Sequence, residues 1–181
     1  VETIAAFNPR KDSRRLRGFY HRFNTARDLG VFFWIMRRAI EEHGSLENAF
    51  ASGLASDDED VSGALDRFSS TLLGFGHEQF YPRGELKKRL GVRFLLPAPS
   101  QGSACKRMNL YLRWMVRPAD GIDCGVWTSV STRQLVIPLD THIARISAYI
   151  GLTEMRSPGW PMAADITRSL RRLNSADPLR Y

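Results

Sequence analysis

Apolar positions recur at helical spacing along most of this chain. Leu29, Phe32, Phe33, Met36 and Ile40 form one stripe, and Gly44 ends it. Ser45 opens a short helix carrying Leu46, Ala49 and Phe50. Ser56-Asp57-Asp58-Glu59 reads as a capping box ahead of the stripe Val61, Ala64, Leu65, Phe68 and Leu72. On that reading the acid run at 57–60 is helix-start chemistry, favoured by the helix dipole, and not catalytic. Residues 74–100 are broken by Gly74, Gly76, Pro82, Gly84, Pro97 and Pro99, leaving room for one short helix at 83–90. A strong helix is predicted over 102–117, with Cys105, Met108, Leu112 and Met115 on one side and Pro118 as its stop. A loop rich in Gly, Asp, Ser and Thr runs to 139. The helix after it, at 141–150, is predicted to turn Ile143, Ile146 and Ile150 inward and to stop at Gly151. Pro161 opens another helix with Met162, Ile166, Leu170 and Leu173, and Asp177-Pro178 reads as the cap and first position of one more. No hairpin signal and no repeat is present, so the expected class is all-α.

Length and charge add to this picture. With 181 residues the chain can form one core or two small lobes. It lacks an initiator Met, which suggests one helical domain over 1–181, trimmed at one or both ends. Lobes are expected at about 1–95 and 96–181, around a cleft. The net charge is +7, unevenly spread. Residues 10–38 hold nine Lys/Arg against two acids, and residues 83–117 hold nine against one. Residues 41–66 hold eight acids and no Lys/Arg. A basic face opposite an acidic one suits a polyanion on one side only. Two cysteines, Cys105 and Cys124, imply a reducing, cytoplasmic setting without a disulfide framework. The longest apolar run, Val31 to Met36, is too short to span a membrane.

Two residues carry candidate chemistry. The chain has 22 arginines and only four lysines, and Lys106 is the only lysine after residue 88. Arginine stays protonated and cannot act as an amine nucleophile, so a lysine in a chain that otherwise prefers arginine is informative. Lys106 is expected in the first turn of its helix, where the dipole disfavours a cation. Arg113 and Arg117 follow on the same face, and both effects favour the uncharged, nucleophilic amine. Asp140, 34 residues on, stands before Thr141-His142-Ile143 as a helix N-cap. Such a carboxylate is ionised and fixed in place, which suits it to stabilise developing positive charge. Taken alone, Lys106 reads first as a solvated lysine on a basic helix face and Asp140 as a simple helix cap. His142 reads as an internal hydrogen-bonding residue. Arg145 could reach a phosphate or brace the cap.

The spelling around these residues is more specific. P-L-D-T-H-I-A-R-I, residues 138–146, resembles the aspartate segment of the helix-hairpin-helix DNA glycosylases of the endonuclease III type. The family's L-P-G-V-G-x-K-T-A hairpin would correspond to L-L-P-A-P-S-Q-G-S-A-C-K-R-M-N, residues 95–109, where Leu96, Pro97, Gly102, Ala104 and Lys106 match in kind. The insertion and the longer spacing to Asp140 look closer to the archaeal 8-oxoguanine glycosylase branch. The stretches F-Y-H-R-F (19–23), L-R-W-M-V-R and W-T-S-V-S are similar to a bacterial family near that branch. The resemblance implies a helical glycosylase fold and a monomer acting on damaged duplex DNA. It implies that Lys106 attacks the sugar C1′, displaces the base and forms a Schiff base from which the 3′ phosphate is eliminated. Asp140 would stabilise the oxocarbenium character and help activate the amine. Gly102, Ser103, Arg107, Arg113, Arg117 and Arg145 would face DNA. Trp127 would stack on the extruded base, with His21 and Phe23 as further pocket candidates, whereas apart from the resemblance all three aromatics read first as core-packing residues. The two-glycine hairpin is not intact here, so only Gly102 and the helix start after it remain to hold a phosphate. The family's iron–sulfur cysteines are missing after the aspartate, so no cofactor and no metal is expected.

Two other readings fit the same residues. One is a non-catalytic nucleic-acid-binding protein with this fold, which the broken hairpin favours. The other is an all-α interaction protein whose acidic 41–66 segment docks a basic partner. Gly74-Phe75-Gly76 lacks the third glycine of a nucleotide fingerprint, and no phosphate loop or nucleophile elbow is present. The four histidines, at 21, 43, 77 and 142, lack metal-site spacing.

Overall fold

Helix starts and stops in this chain are set by a few side chains, and these decide where the functional residues stand. The structure is a computed structural model and describes residues 2–21, 24–76, 80 and 91–181. The helix expected at 83–90 and the pocket candidate Phe23 lie outside the described residues. Among the described residues the structure is predominantly helical, as the all-α expectation has it. No helix among them is long and apolar enough to cross a membrane. The chain groups into two units, residues 1–49 with 68–96, and residues 50–67 with 97–181.

The first unit contains α1 (Glu2–Ala5), α2 (Pro9–Asp12), a 3₁₀ turn at Ser13–Leu16, and α3 (Ala26–His43). The all-α expectation did not include the two-residue strands β1 (Tyr20–His21) and β2 (Asn24–Thr25), which pair antiparallel just before α3. Thr25 caps α3 with a full capping box. Its hydroxyl accepts from the Asp28 backbone N–H at 3.4 Å, and the Asp28 carboxylate accepts from the Thr25 N–H at 2.8 Å. Gly44, at φ +79°, closes the helix, as expected. Val31, Ile35, Met36 and Ala39 turn inward, and Phe7 meets Phe33 edge-on at 5.5 Å between ring centres.

Asp28 also fixes the backbone opposite it, in the 3₁₀ turn Gly91–Phe94. A Cβ at Gly91 would stand 2.5 Å from the Asp28 carboxyl carbon, and Asn24 donates to the Gly91 carbonyl at 3.0 Å. Because the capping box immobilises the carboxylate, it cannot move aside. Gly91→Ala is therefore expected to destabilise this unit by about 1–3 kcal/mol, the usual cost of overpacking a filled site, as read from urea unfolding.

Helices α4 (Leu46–Ala51) and α5 (Ser62–Gly74) follow. The capping box expected at Ser56–Glu59 is not a helix start, because α5 begins at Ser62. The acids instead tie turns: Asp58 accepts from the Ala55 N–H and Asp60 from the Ser62 N–H, both at 2.8 Å. This segment belongs to the second unit, unlike the contiguous lobes expected. Gln134 donates to the Ala55 and Asp58 carbonyls at 3.0 and 3.2 Å. Arg171 binds the Glu59 carbonyl at 2.8 Å and its carboxylate at 3.1 Å, and Arg133 binds the Ser56 carbonyl. Part of the acidic stretch is thus neutralised by its own unit, which weakens the idea of a docking face.

The second unit continues with a 3₁₀ turn at Pro99–Gln101, then α6 (Lys106–Val116), a 3₁₀ turn at Thr132–Gln134, α7 (Thr141–Tyr149) and α8 (Trp160–Arg171). Its core includes Val61, Leu65, Leu112, Leu135, Val136 and Ile166, all at most 1% exposed. Helix α7 buries Ala144 and Ser147, whereas Ile146 and Ile150 are 56% and 60% exposed. Of the expected inward stripe only Ile143 is half-buried, and Ile146 and Ile150 point outward. Leu173 also points outward, at 65% exposed, because α8 has ended before it. Asp177 caps a turn and not a further helix, accepting from the Leu179 N–H at 3.1 Å.

Candidate active site

Lys106 is the first residue of α6, four residues later than the predicted helix start. Two left-handed residues cause the delay. Gly102 has φ +77° and Cys105, the N-cap, has φ +48°. The second is uncommon for a residue with a side chain, and it is held from several sides. The Ser103 hydroxyl accepts from the Cys105 N–H at 3.1 Å, and the buried Asn109 donates to the Ala104 carbonyl at 3.2 Å. The Cys105 thiol is 1% exposed, and burial pushes it up to about 11, so it is not a nucleophile at neutral pH. Upstream, Asp66 accepts from the Ser100 N–H and hydroxyl at 3.0 and 2.9 Å, tying the turn before Gly102 to α5 within the same unit.

Asp140 caps α7 as expected, and it divides its two oxygens between tasks. Oδ1 accepts from the backbone N–H groups of His142 and Ile143, both at 2.9 Å. Oδ2 accepts from Lys106 Nζ at 2.8 Å. The approach to Asp140 is itself fixed, since the Thr167 hydroxyl accepts from the Ile137 N–H at 3.0 Å and Leu139 is buried. The amine and the carboxylate therefore meet, although both are accessible, with side chains 48% and 29% exposed. The Lys106 ammonium, and then the Ile143 N–H, hold the Asp140 carboxyl down to about 2, against a smaller opposing effect of desolvation.

The sign of the resulting pH dependence is fixed. A carboxyl whose folded value lies below its ordinary 3.8 stabilises the fold fully above 3.8, and that contribution is lost as pH falls towards about 2. Asp140→Asn is expected to flatten this part of an acid-unfolding curve, leaving the curve above it unchanged in slope. An unchanged acid limb would show that the pairing is not maintained in solution.

The other expected residues divide into two groups. Gly102, Arg107 and Arg145 are exposed, and Ser103 is half-buried and serves the turn. Arg145 makes no hydrogen bond or ion pair among the described residues, so it does not brace the cap. Arg113 and Arg117 do not face a ligand. Arg113 Nε lies 3.4 Å from both oxygens of Asp123, whose side chain is fully buried. Arg117, with only 11% of its side chain exposed, pairs with Asp123 and, at 3.1 Å, with Asp177. The buried Asp123 and the part-buried Asp177 engage the two charges that the resemblance assigned to DNA. Their positive charge is paired there. Trp127 is a core residue, 8% exposed, packed against Phe50 at 5.8 Å and edge-on to Tyr111 at 5.5 Å. It is not free to stack on a base. His21 is exposed on β1, in the first unit.

Sequence reasoning missed one feature of this unit. Gly102, residues 155–159 and Pro161 border an open cleft of about 410 Å³, with Arg156 on its wall. Among the described residues no group of three His, Cys, Asp or Glu side chains is placed to hold a metal ion. No curated protein and no solved structure matches the chain. Residues 1–181 match the family described as "Protein of unknown function (DUF2400)", and the chain belongs to that family.

Proposed function

We propose that this protein is a DNA base-excision glycosylase with β-lyase activity, built on a helix-hairpin-helix type of scaffold and working through a Lys106 Schiff base. The observation that carries the reading is the 2.8 Å contact between the Lys106 amine and the Asp140 carboxylate, which comes from two segments 34 residues apart. A solvated lysine on a basic helix face has no need of this partner. An aspartate that only caps a helix has no need of it either.

On this reading the two groups divide the work. Asp140, ionised throughout the neutral range and fixed by two backbone N–H groups, acts by charge. It is a poor proton acceptor, and it stabilises the cation that develops at C1′ as the glycosidic bond lengthens. Lys106 gives up a proton and bonds through nitrogen to C1′. The base leaves with the electron pair of the glycosidic bond and takes a proton. The sugar ring then opens: the nitrogen lone pair forms the C1′=N bond as the C1′–O4′ bond breaks, and O4′ takes a proton. Loss of the C2′ proton then breaks the C3′–O bond, the phosphate leaving with its electron pair, and an unsaturated sugar remains bound to Lys106 as an imine. Extruding the nucleotide costs roughly a few kcal/mol, least at a damaged or abasic position. The exposed amine is suited to such a substrate, because an aldehyde at C1′ can reach it directly.

The test is borohydride trapping on a panel of duplexes carrying 8-oxoguanine, other oxidised bases or an abasic site. The expected result is one covalent protein–DNA adduct on at least one duplex. Absence of an adduct on every duplex, the abasic one included, removes the lyase claim. Salt-dependent binding without any adduct would leave a nucleic-acid-binding protein that keeps the scaffold.

A further inference from the structure

Most arginines of the second unit that contact its interior are engaged. Arg67 binds the Gly53 carbonyl, Arg133 the Ser56 carbonyl, Arg171 Glu59, Arg113 Asp123, and Arg117 Asp123 and Asp177. Arg156 differs. It is exposed on the wall of a cleft of about 410 Å³ and makes no hydrogen bond or ion pair among the described residues. The opposite wall is the Gly102 turn that leads into Lys106.

The two walls are held in contact. A Cβ on Gly159 would lie 3.0 Å from the Gly102 carbonyl oxygen, so the backbones meet at a separation that only glycine allows comfortably. Thr153 and its neighbours anchor the approach to Arg156. The Thr153 hydroxyl donates to Asp165 at 2.7 Å and accepts from the Met155 N–H at 3.1 Å. An uncompensated guanidinium is thus presented from a fixed backbone, beside a Ser157 hydroxyl that also lines the cleft. Arg and Ser together suit a tetrahedral oxyanion such as a phosphodiester.

From these observations we infer that the Arg156–Ser157 cleft binds a backbone phosphate of a nucleic-acid strand, flanking the nucleotide that reaches Lys106. Gly102 lies four residues before Lys106, at most about 14 Å of extended chain. A strand carries a charge every ~3.4 Å of axial rise, so a phosphate a few nucleotides from the reacting sugar falls within this reach. The inference rests on the proposed function for the identity of the nucleotide at Lys106, though not for the binding itself.

The experiment measures binding of the full chain to a fluorescent duplex bearing a tetrahydrofuran abasic analogue, by anisotropy, at several salt concentrations. Arg156→Gln is expected to weaken binding about tenfold and to reduce the slope of log K against log salt by about 0.9, one phosphate contact. Arg156→Lys should retain most of the slope. Arg172→Gln removes the same charge from an exposed position outside the cleft and should leave the slope near that of the parent. Equal affinities and slopes for parent and Arg156→Gln overturn the inference, as does the same loss in Arg172→Gln. Inorganic phosphate at constant ionic strength should not displace the duplex at millimolar concentration. Displacement lost only in Arg156→Gln would reassign the cleft to free phosphate and overturn the strand contact. A parent that binds without forming an imine, with Arg156→Gln weakened as expected, would end the lyase reading and leave this one standing. A parent that does not bind the duplex ends both.

Discussion

Lys106→Arg is expected to abolish borohydride trapping, with adduct yield at least about 10³-fold below the parent, while the protein stays folded and bound to DNA. Removing a covalent nucleophile costs orders of magnitude, whereas a uniform binding contact costs far less. Arginine is the decisive replacement because it keeps the positive charge and can still donate to Asp140, 2.8 Å away in the parent. It cannot form an imine, because its guanidinium does not lose its proton. Lys106→Gln removes both charge and chemistry and should give the same trapping result with weaker DNA binding. The unfolding midpoint should hardly move in either variant, since ion pairs between accessible side chains contribute little to stability. Adduct formation that survives Lys106→Arg would assign the reaction to another amine and sink the proposal at its centre. A parallel Asp140→Asn protein should bind the duplex and trap slowly, because the neutral amide keeps one acceptor and loses the charge that stabilises the cation.

The pairing of these two residues was legible through the resemblance carried by the spelling around them, to which each adds a chemical oddity. One is a lysine where the chain elsewhere uses arginine, and the other an aspartate in cap position before a clear amphipathic helix. What surrounds them was less legible, for physical reasons. The start of α6 was placed too early because Ser103, Ala104 and Cys105 look helix-compatible. Nothing in their spelling announces that Cys105 takes φ +48°. The buried face of α7 was misplaced because three isoleucines outweigh an alanine and a serine in any apolar count. Yet Ala144 and Ser147 are buried, and the short helix leaves Ile146 and Ile150 exposed. Trp127 was the stacking candidate because it lies on the loop between Lys106 and Asp140, and its other reading, a core residue, is the one the structure bears out. The loop folds back, with Cys124 and Trp127 donating to the Trp114 and Met115 carbonyls at 2.6 and 2.8 Å, and this carries the indole into the core. Long-range partners decide each case, and a single helix period cannot report them.

The same blindness explains Arg113 and Arg117, and it leads to the largest stability effect expected in this protein. Their partner, Asp123, comes from a turn that Asp120 organises by accepting from the Ile122 and Asp123 N–H groups at 3.0 and 2.9 Å. The Asp123 side chain has no exposure, and Arg117 has 11%, so neither charge is compensated by water. Breaking a buried ion pair by removing one member costs about 3–5 kcal/mol, because the other is left charged and desolvated. Asp123→Ala should lose this much in urea unfolding and lower Tm by on the order of 10 °C. The parent's whole stability is expected near 5–15 kcal/mol, so the variant approaches the limit of remaining folded. Arg113, 31% exposed, can swing towards solvent, while Arg117 keeps Asp177 and, at 4.0 Å, the exposed Asp120. The loss should therefore be concentrated on Arg117. Adding Arg117→Met to Asp123→Ala should recover part of the stability, since it replaces a stranded charge with an apolar side chain of similar length. Strictly additive losses in the double variant would mean that Arg117 draws its compensation from elsewhere. The two arginines would then return to the pool of charge available to a nucleic acid.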